Sequence, residues 1–251
     1  MPIINMMRRV RRAILKHLIP EVFYPKTILI DGVVVPIRNS KFSFGIRRYL
    51  LRGDYERPER DLVKRIVDDA DNCLEFGSSI GVLSSILANK VGPSGRVFCV
   101  EADEHLVPVA TQWVTAQFKN VEVRHGIGLP VWELPSDLHF KFEEGEGSLG
   151  GRVRMTANGS NEKEGVTCFD ISTVMRVAKF IPTVLVVDIE GSESLMLDCK
   201  PNLPEQIKKI IMEFHPDIYG FDCMNRIIGV LATEGYEVDC RYSNTLSFLR
   251  R

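Results

Sequence analysis

Asn72-Cys73-Leu74-Glu75-Phe76-Gly77-Ser78-Ser79-Ile80-Gly81-Val82-Leu83-Ser84-Ser85-Ile86-Leu87-Ala88 reads as a short buried strand, a tight loop bounded by two glycines, and an apolar helix. A doubly wound α/β sheet presents backbone N–H groups to a nucleotide in this order. Gly77 lets the chain turn at φ angles that a Cβ forbids, and Gly81 lets the helix start close to the strand. About twenty residues on, Val97-Phe98-Cys99-Val100-Glu101 is a second apolar run that ends in a carboxylate. An acid at that point accepts hydrogen bonds from the two ribose hydroxyls of an adenosine. Glu75, Phe76, Gly77, Ser78, Ser79, Ile80 and Gly81, with Glu101 and the adjoining Ala102, are therefore the candidate cofactor seat.

At 251 residues the chain fits one large domain, or one domain with an appendage. The apolar fraction of 45% and charged fraction of 26% belong to a globular protein with a real core. No apolar run reaches the roughly 18 to 20 residues of a membrane span. Met1 to Pro20 is basic but lacks an apolar h-region and a small-residue cleavage site, so the expected location is the cytoplasm. Cys73, Cys99, Cys168, Cys199, Cys223 and Cys240 show no CxxC spacing and read as reduced, mostly buried thiols. Five of the 32 basic residues (Arg8, Arg9, Arg11, Arg12 and Lys16) precede the first acid, Glu21. The rest of the chain is acidic on balance, which argues against a nucleic-acid partner, since binding there rests on neutralising phosphates.

In chain order, Met7, Val10, Ile14, Leu15 and Leu18 recur at helical spacing with the basic residues on the other faces. Such a basic amphipathic helix over residues 6–18 either docks on its own domain or makes peripheral contact with the cytoplasmic face of a membrane. Thr27 to Ile30 and Val33 to Ile37 flank Asp31-Gly32, a hairpin signal. Residues 1–55 are thus expected as an appendage of helix and β-hairpin, and 56–251 as the main domain. Arg57-Pro58-Glu59-Arg60 opens a helix through Val67. After the glycine loop come a helix to about Val91, the strand 96–101, a helix over roughly 104–118 with Leu106, Val109, Ala110, Trp113, Val114 and Gln117 inward, and the strand Val121 to Arg124. From Gly126 to Gly165 periodicity fails, and the stretch reads as an irregular loop on the substrate side. Asp170 is placed to cap the helix that follows it. Thr183 to Val187 is a strand buried on both faces that runs into Asp188-Ile189-Glu190-Gly191. Ile207 to Phe214 is the next strand, a helix follows near 222–234, and Tyr236 to Arg241 and Thr245 to Leu249 close the chain as an antiparallel pair. The expected fold is α/β and Rossmann-like: a seven-stranded, mostly parallel sheet ending in an antiparallel hairpin, as in class I S-adenosylmethionine-dependent methyltransferases.

Ligands of open α/β sheets bind beyond the carboxyl ends of the strands, near the switch point. The polar groups there are Glu75, Glu101, His125 (with Gly126 beside it), Asp188, Glu190, Glu213 and His215. A carboxylate at Asp188, after so apolar a run, is costly unless paired, hydrogen-bonded or metal-bound, or unless it caps the next helix. Asp188, Glu190, Glu213 and His215 would suit an oxygen-rich divalent-ion site (Mg or Mn) with one imidazole.

On these blocks the chain resembles the FkbM family of methyltransferases. The carrying motifs are Leu74-Glu75-Phe76-Gly77-Ser78-Ser79-Ile80-Gly81; Glu101-Ala102; Thr167-Cys168-Phe169-Asp170; Val187-Asp188-Ile189-Glu190-Gly191-Ser192-Glu193; and Glu213-Phe214-His215. Ser79 stands in place of the family's usual asparagine and Val186 in place of its usual lysine, so no role for that lysine carries over. The resemblance implies S-adenosylmethionine as methyl donor and a hydroxyl acceptor, on a sugar of a glycan or glycolipid or on a natural product. Asp188 is then the orienting or general-base group, with Glu190 and His215 supporting it or binding an ion, and Asp188 also borders the cofactor. Two other readings remain: a nonenzymatic binding protein on the same fold, and a nicotinamide-dependent oxidoreductase. The second expects G-x-G-x-x-G, whereas residues 77–81 read G-S-S-I-G.

Overall fold

The computed structural model describes residues 24–134, 139–143, 151–156 and 166–251. The amphipathic helix expected over residues 6–18 lies outside them. The chain divides into two compact units, Met1–Tyr55 and Glu56–Arg251. No helix among the described residues is long and apolar enough to cross a membrane.

In the first unit, β1 (Thr27–Ile30) and β2 (Val33–Pro36) pair antiparallel across Asp31-Gly32. Both turn residues hold positive φ, 46° and 86°, which is the mirror-image turn whose twist matches that of the strands. A helix absent from the sequence reading follows, α1 (Phe44–Arg52), capped by the Ser43 hydroxyl, which accepts the Ile46 N–H, and ended by Gly53 in the left-handed region.

The second unit opens with α2 (Arg57–Ile66), then β3 (Asn72–Phe76), α3 (Val82–Val91), β4 (Arg96–Glu101), α4 (Val107–Gln117) and β5 (Val121–His125). After β6 (Ile127–Gly128), β7 (His139–Glu143), β8 (Arg152–Thr156) and β9 (Cys168–Phe169) come α5 (Ile171–Ala178), β10 (Val184–Val187), a 3-10 turn (Ser192–Leu195) and α6 (Met196–Cys199). The chain closes with β11 (Lys209–Glu213), α7 (Pro216–Tyr219), α8 (Phe221–Thr233), β12 (Tyr236–Tyr242) and β13 (Thr245–Arg250). The stretch expected to be irregular from Gly126 to Gly165 is not uniformly so. Within it β7 and β8 pair antiparallel, and β6 pairs in parallel with β9. On α4, Gln117 faces out rather than in.

The main sheet runs β12-β13-β11-β10-β3-β4-β5, with β13 antiparallel to both its neighbours and the other pairs parallel. Helices cover a parallel sheet on both faces, so its strands are mostly apolar, and all four residues of β10 are buried. Leu74, Phe76, Leu185, Val187, Ile210 and Met212 join one core with Phe169, Phe180 and Phe214. The chain turns one way from β3 through β4 and β5 and the other way through β10 and β11, so the switch point lies between β3 and β10. Gly77 and Asp188 stand just beyond the ends of these two strands.

Candidate functional site

The glycine loop is held from several sides. The Gly77 N–H donates to Val100 O at 2.9 Å, the Gly81 N–H to Ser78 O at 2.8 Å, and the Trp113 indole N–H to Ile80 O at 2.9 Å. Gly77 and Gly81 have φ of +88° and +84°, where a side chain is strained. A Cβ on Gly77 would run into the carbonyl oxygen of Asp188, and one on Gly81 would come within 2.7 Å of Val114 Cγ2. Glu101 closes the loop from β4: one oxygen accepts the Ser79 N–H at 2.6 Å and the other the Asp103 N–H at 2.8 Å. Each oxygen keeps lone-pair capacity for a further donor, such as a ribose hydroxyl. Burial raises the Glu101 carboxyl, while these backbone donors work against the rise. Glu75 lies beneath the loop, 1% exposed, with Ser84 Oγ of α3 donating to it at 2.5 Å. Burial pushes it up to about 7 against the hydrogen bonds from Cys99 and Ser84. The Ser78 hydroxyl, in the same loop, is buried and has no hydrogen-bond partner.

Across the switch point, Asp188, Glu190 and His215 come together. His215 Nε2 lies 3.8 Å from Asp188 Oδ1 and 3.5 Å from Glu190 Oε2, and its Nδ1 lies 3.2 Å from Glu193 Oε1. Burial alone would lower the imidazole, but the Glu193 hydrogen bond and the charges of Glu193, Glu213 and Glu190 outweigh it and push the ring up to about 9. Asp188 is raised well above the carboxylate range by burial, then by Glu213, Glu190, Glu59 and Glu56. Glu213 is pushed up to about 7 by burial, then by Glu59. The charge of Glu213 raises Asp188 because like charges at short range cannot both ionise cheaply. Glu59 adds to this field from α2, buried and accepting a hydrogen bond from Thr245 Oγ1 at 2.5 Å, and burial raises it too.

For a divalent ion, Asp188, Glu213 and His215 offer donor atoms that all lie within 4.8 Å of one another; Glu190 is not part of that set. Asp188 Oδ1 is buried without a hydrogen-bond partner. Two carboxylates, one of them with an unsatisfied oxygen, and one imidazole make a donor set that fits a hard or borderline cation.

The remaining expected cofactor residues are spread around the loop. His125 is exposed, its Nε2 3.2 Å from Ala102 O, and the Gly126 N–H donates to Glu101 O at 2.8 Å. The structure adds three residues that the sequence did not single out: Glu193, Tyr219 and Glu59. The signal for Glu193 is its place two residues after the glycine of Asp188-Ile189-Glu190-Gly191, in a turn too short to need a charge for solubility. Glu59 and Tyr219 carry no such signal. Asp188 does not cap the following 3-10 turn, which has no side-chain cap; Glu193 accepts the N–H groups of Ile189 and Gly191 ahead of it.

No family model and no curated protein matches this sequence. Among solved structures the chain is similar to a protein assigned as a caffeoyl-CoA O-methyltransferase from Staphylococcus aureus, with 14% identity, 85% of this chain and 94% of that one covered, and a TM-score of 0.51. It is also similar to a TehB-like S-adenosylmethionine-dependent methyltransferase from Corynebacterium glutamicum (12% identity, 82% and 94% covered, TM-score 0.44). A third is fibrillarin from Aeropyrum pernix with natively bound S-adenosylmethionine (13% identity, 94% and 85% covered, TM-score 0.43). At such identities the likeness is one of fold, and with the strand order it is the Rossmann-like fold of class I S-adenosylmethionine-dependent methyltransferases.

Proposed function

We propose that this chain is an S-adenosylmethionine-dependent O-methyltransferase of FkbM type, moving a methyl group to a hydroxyl of a glycan or glycolipid sugar or of a natural product. The observation that carries the reading is the Asp188–His215–Glu190 cluster beside Gly77, where one chain segment borders both the donor loop and the acid–base groups. The loop from Gly77 to Gly81, with Glu101 and the buried Ser78 hydroxyl that has no hydrogen-bond partner, would hold the donor. Once bound, the donor supplies a methyl group on a sulfonium, an electrophile that requires alignment more than activation.

The residues therefore have two tasks, to aim the acceptor oxygen and to take its proton. Asp188 Oδ1, buried without a hydrogen-bond partner, is the atom placed to accept the hydroxyl proton, a step open only to the ionised form that its raised pKa disfavours and that nearby His215 favours. Glu213 offers a carboxylate oxygen within 4.8 Å of one on Asp188 and raises the Asp188 pKa further. His215, protonated at neutral pH, is poorly suited as the base and instead balances the carboxylate charge around it. Asp188, Glu213 and His215 would also hold a divalent ion, which would favour the ionised form of an acceptor hydroxyl. Membrane contact through residues 6–18 would bring such an enzyme to lipid-linked acceptors in a cytoplasmic setting.

The test is transfer of labelled methyl from S-adenosylmethionine into fractionated glycan, lipid and small-molecule extracts, with and without chelator. Label in a glycan, lipid or small-molecule fraction supports the reading. Binding of S-adenosylhomocysteine without label in any fraction favours a nonenzymatic role, and absence of both overturns the assignment.

A further inference from the structure

We infer that Glu193 is the positioning residue of this site, one buried carboxylate that sets both the ring of His215 and the backbone carrying Glu190. What the positioned groups accomplish rests on the methyltransferase reading; the positioning itself rests on geometry. The Glu193 side chain is 0% exposed. Its Oε1 accepts the N–H groups of Ile189 at 3.2 Å and Gly191 at 3.4 Å, and His215 Nδ1 stands 3.2 Å from the same atom. An oxygen already accepting from two N–H groups meets the imidazole as an acceptor too, so Nδ1 carries a hydrogen and Nε2 is the nitrogen turned toward Asp188 and Glu190.

The two backbone donors flank Glu190, which holds φ of +53°, a region costly for a residue with a side chain. Glu193 thus staples a strained turn whose middle residue points its carboxylate at His215. Tyr219 completes the arrangement from α7: its hydroxyl accepts the His215 backbone N–H at 2.8 Å. The ring is thereby fixed at its main chain and at Nδ1, leaving Nε2 as its working end. Burying a carboxylate wholly costs far more than burying an apolar chain of the same size, so its place here answers to orientation rather than to stability.

The test reads the ring directly and needs no acceptor. The full chain is labelled with nitrogen-15 at its five histidines, and His215 is assigned by the signals lost in His215→Gln. In the wild type, the His215 Nδ1–H should appear at neutral pH as a sharp ring proton protected from exchange with water. Glu193→Met, which keeps the length but removes the acceptor, should lose that signal, and Glu193→Gln, which keeps an acceptor oxygen, should restore it. Absence of a protected Nδ1–H in the wild type, or its persistence in folded Glu193→Met, overturns the inference. Should Glu193→Met not fold, the wild-type spectrum decides alone. S-adenosylhomocysteine binding by the same wild-type sample tests the methyltransferase reading separately, since its absence leaves the ring signal readable.

Discussion

The backbone of Asp188 leaves no room for a side chain at Gly77: a Cβ built there runs into the Asp188 carbonyl oxygen, and the Asp188 N–H already donates to Phe76 O at 2.9 Å. The glycine loop and the strand that leads to Asp188 are therefore in backbone contact at the switch point, and neither can shift without the other. Gly77→Ala has to move main chain, and it also forces a side chain onto φ of +88°. The expected outcome is a loss of about 2 kcal/mol or more in stability and at least a tenfold weaker hold on S-adenosylhomocysteine. Thermal melting and calorimetric titration read the two effects, and wild-type binding by the variant would remove this loop from the cofactor.

Asp188→Asn keeps the shape of the side chain and removes the group that takes a proton. Turnover should fall on the order of a hundredfold or more, while S-adenosylhomocysteine binding stays within a few-fold of wild type. The split between chemistry and binding is the informative part. Unchanged turnover would exclude Asp188 as the base.

How much of this was legible in the sequence follows the range of each interaction. Asp31-Gly32 announced its hairpin and Asp170 its cap, accepting the Thr173 N–H at 2.7 Å, because both act over two or three residues. Val184 to Val187 was readable because a strand covered on both faces favours an unbroken apolar run. The β7–β8 hairpin was less visible although His139-Phe140-Lys141-Phe142-Glu143 and Arg152-Val153-Arg154-Met155-Thr156 each alternate with period two, since glycines and acids surround them. Glu59 was not legible at all, and Glu193 only as a member of the Val187 to Glu193 block, without its role. Their partners, Thr245 and His215, lie 186 and 22 residues away, and no local period encodes such a contact.

Glu101 joins Ser79 to Asp103 through its two oxygens, so its removal has a structural and a ligand-binding part. Glu101→Ala should weaken cofactor binding by about 1 to 3 kcal/mol for the lost charged hydrogen bonds. Glu101→Gln, which retains one acceptor oxygen, should fall between alanine and wild type. Titration with S-adenosylhomocysteine ranks the three, and equal affinities would take Glu101 away from the ribose.

Glu75 gives a prediction about pH. Its folded pKa of about 7 stands above the ordinary carboxyl value because burial disfavours the charged form. Between roughly pH 4.5 and 7 the folded chain then binds more protons at this site than the unfolded chain does, so stability falls as pH rises through that window. The contribution is fully present below the unfolded value and lost above about 7, amounting to something on the order of 3 kcal/mol. Glu213, also raised to about 7, acts in the same direction. Glu75→Gln cannot ionise and can still accept from Ser84, so its stability should decline less between pH 5.5 and 8 than that of the wild type. Urea unfolding at the two pH values measures the difference; parallel declines in the two proteins would show that Glu75 does not titrate in this range.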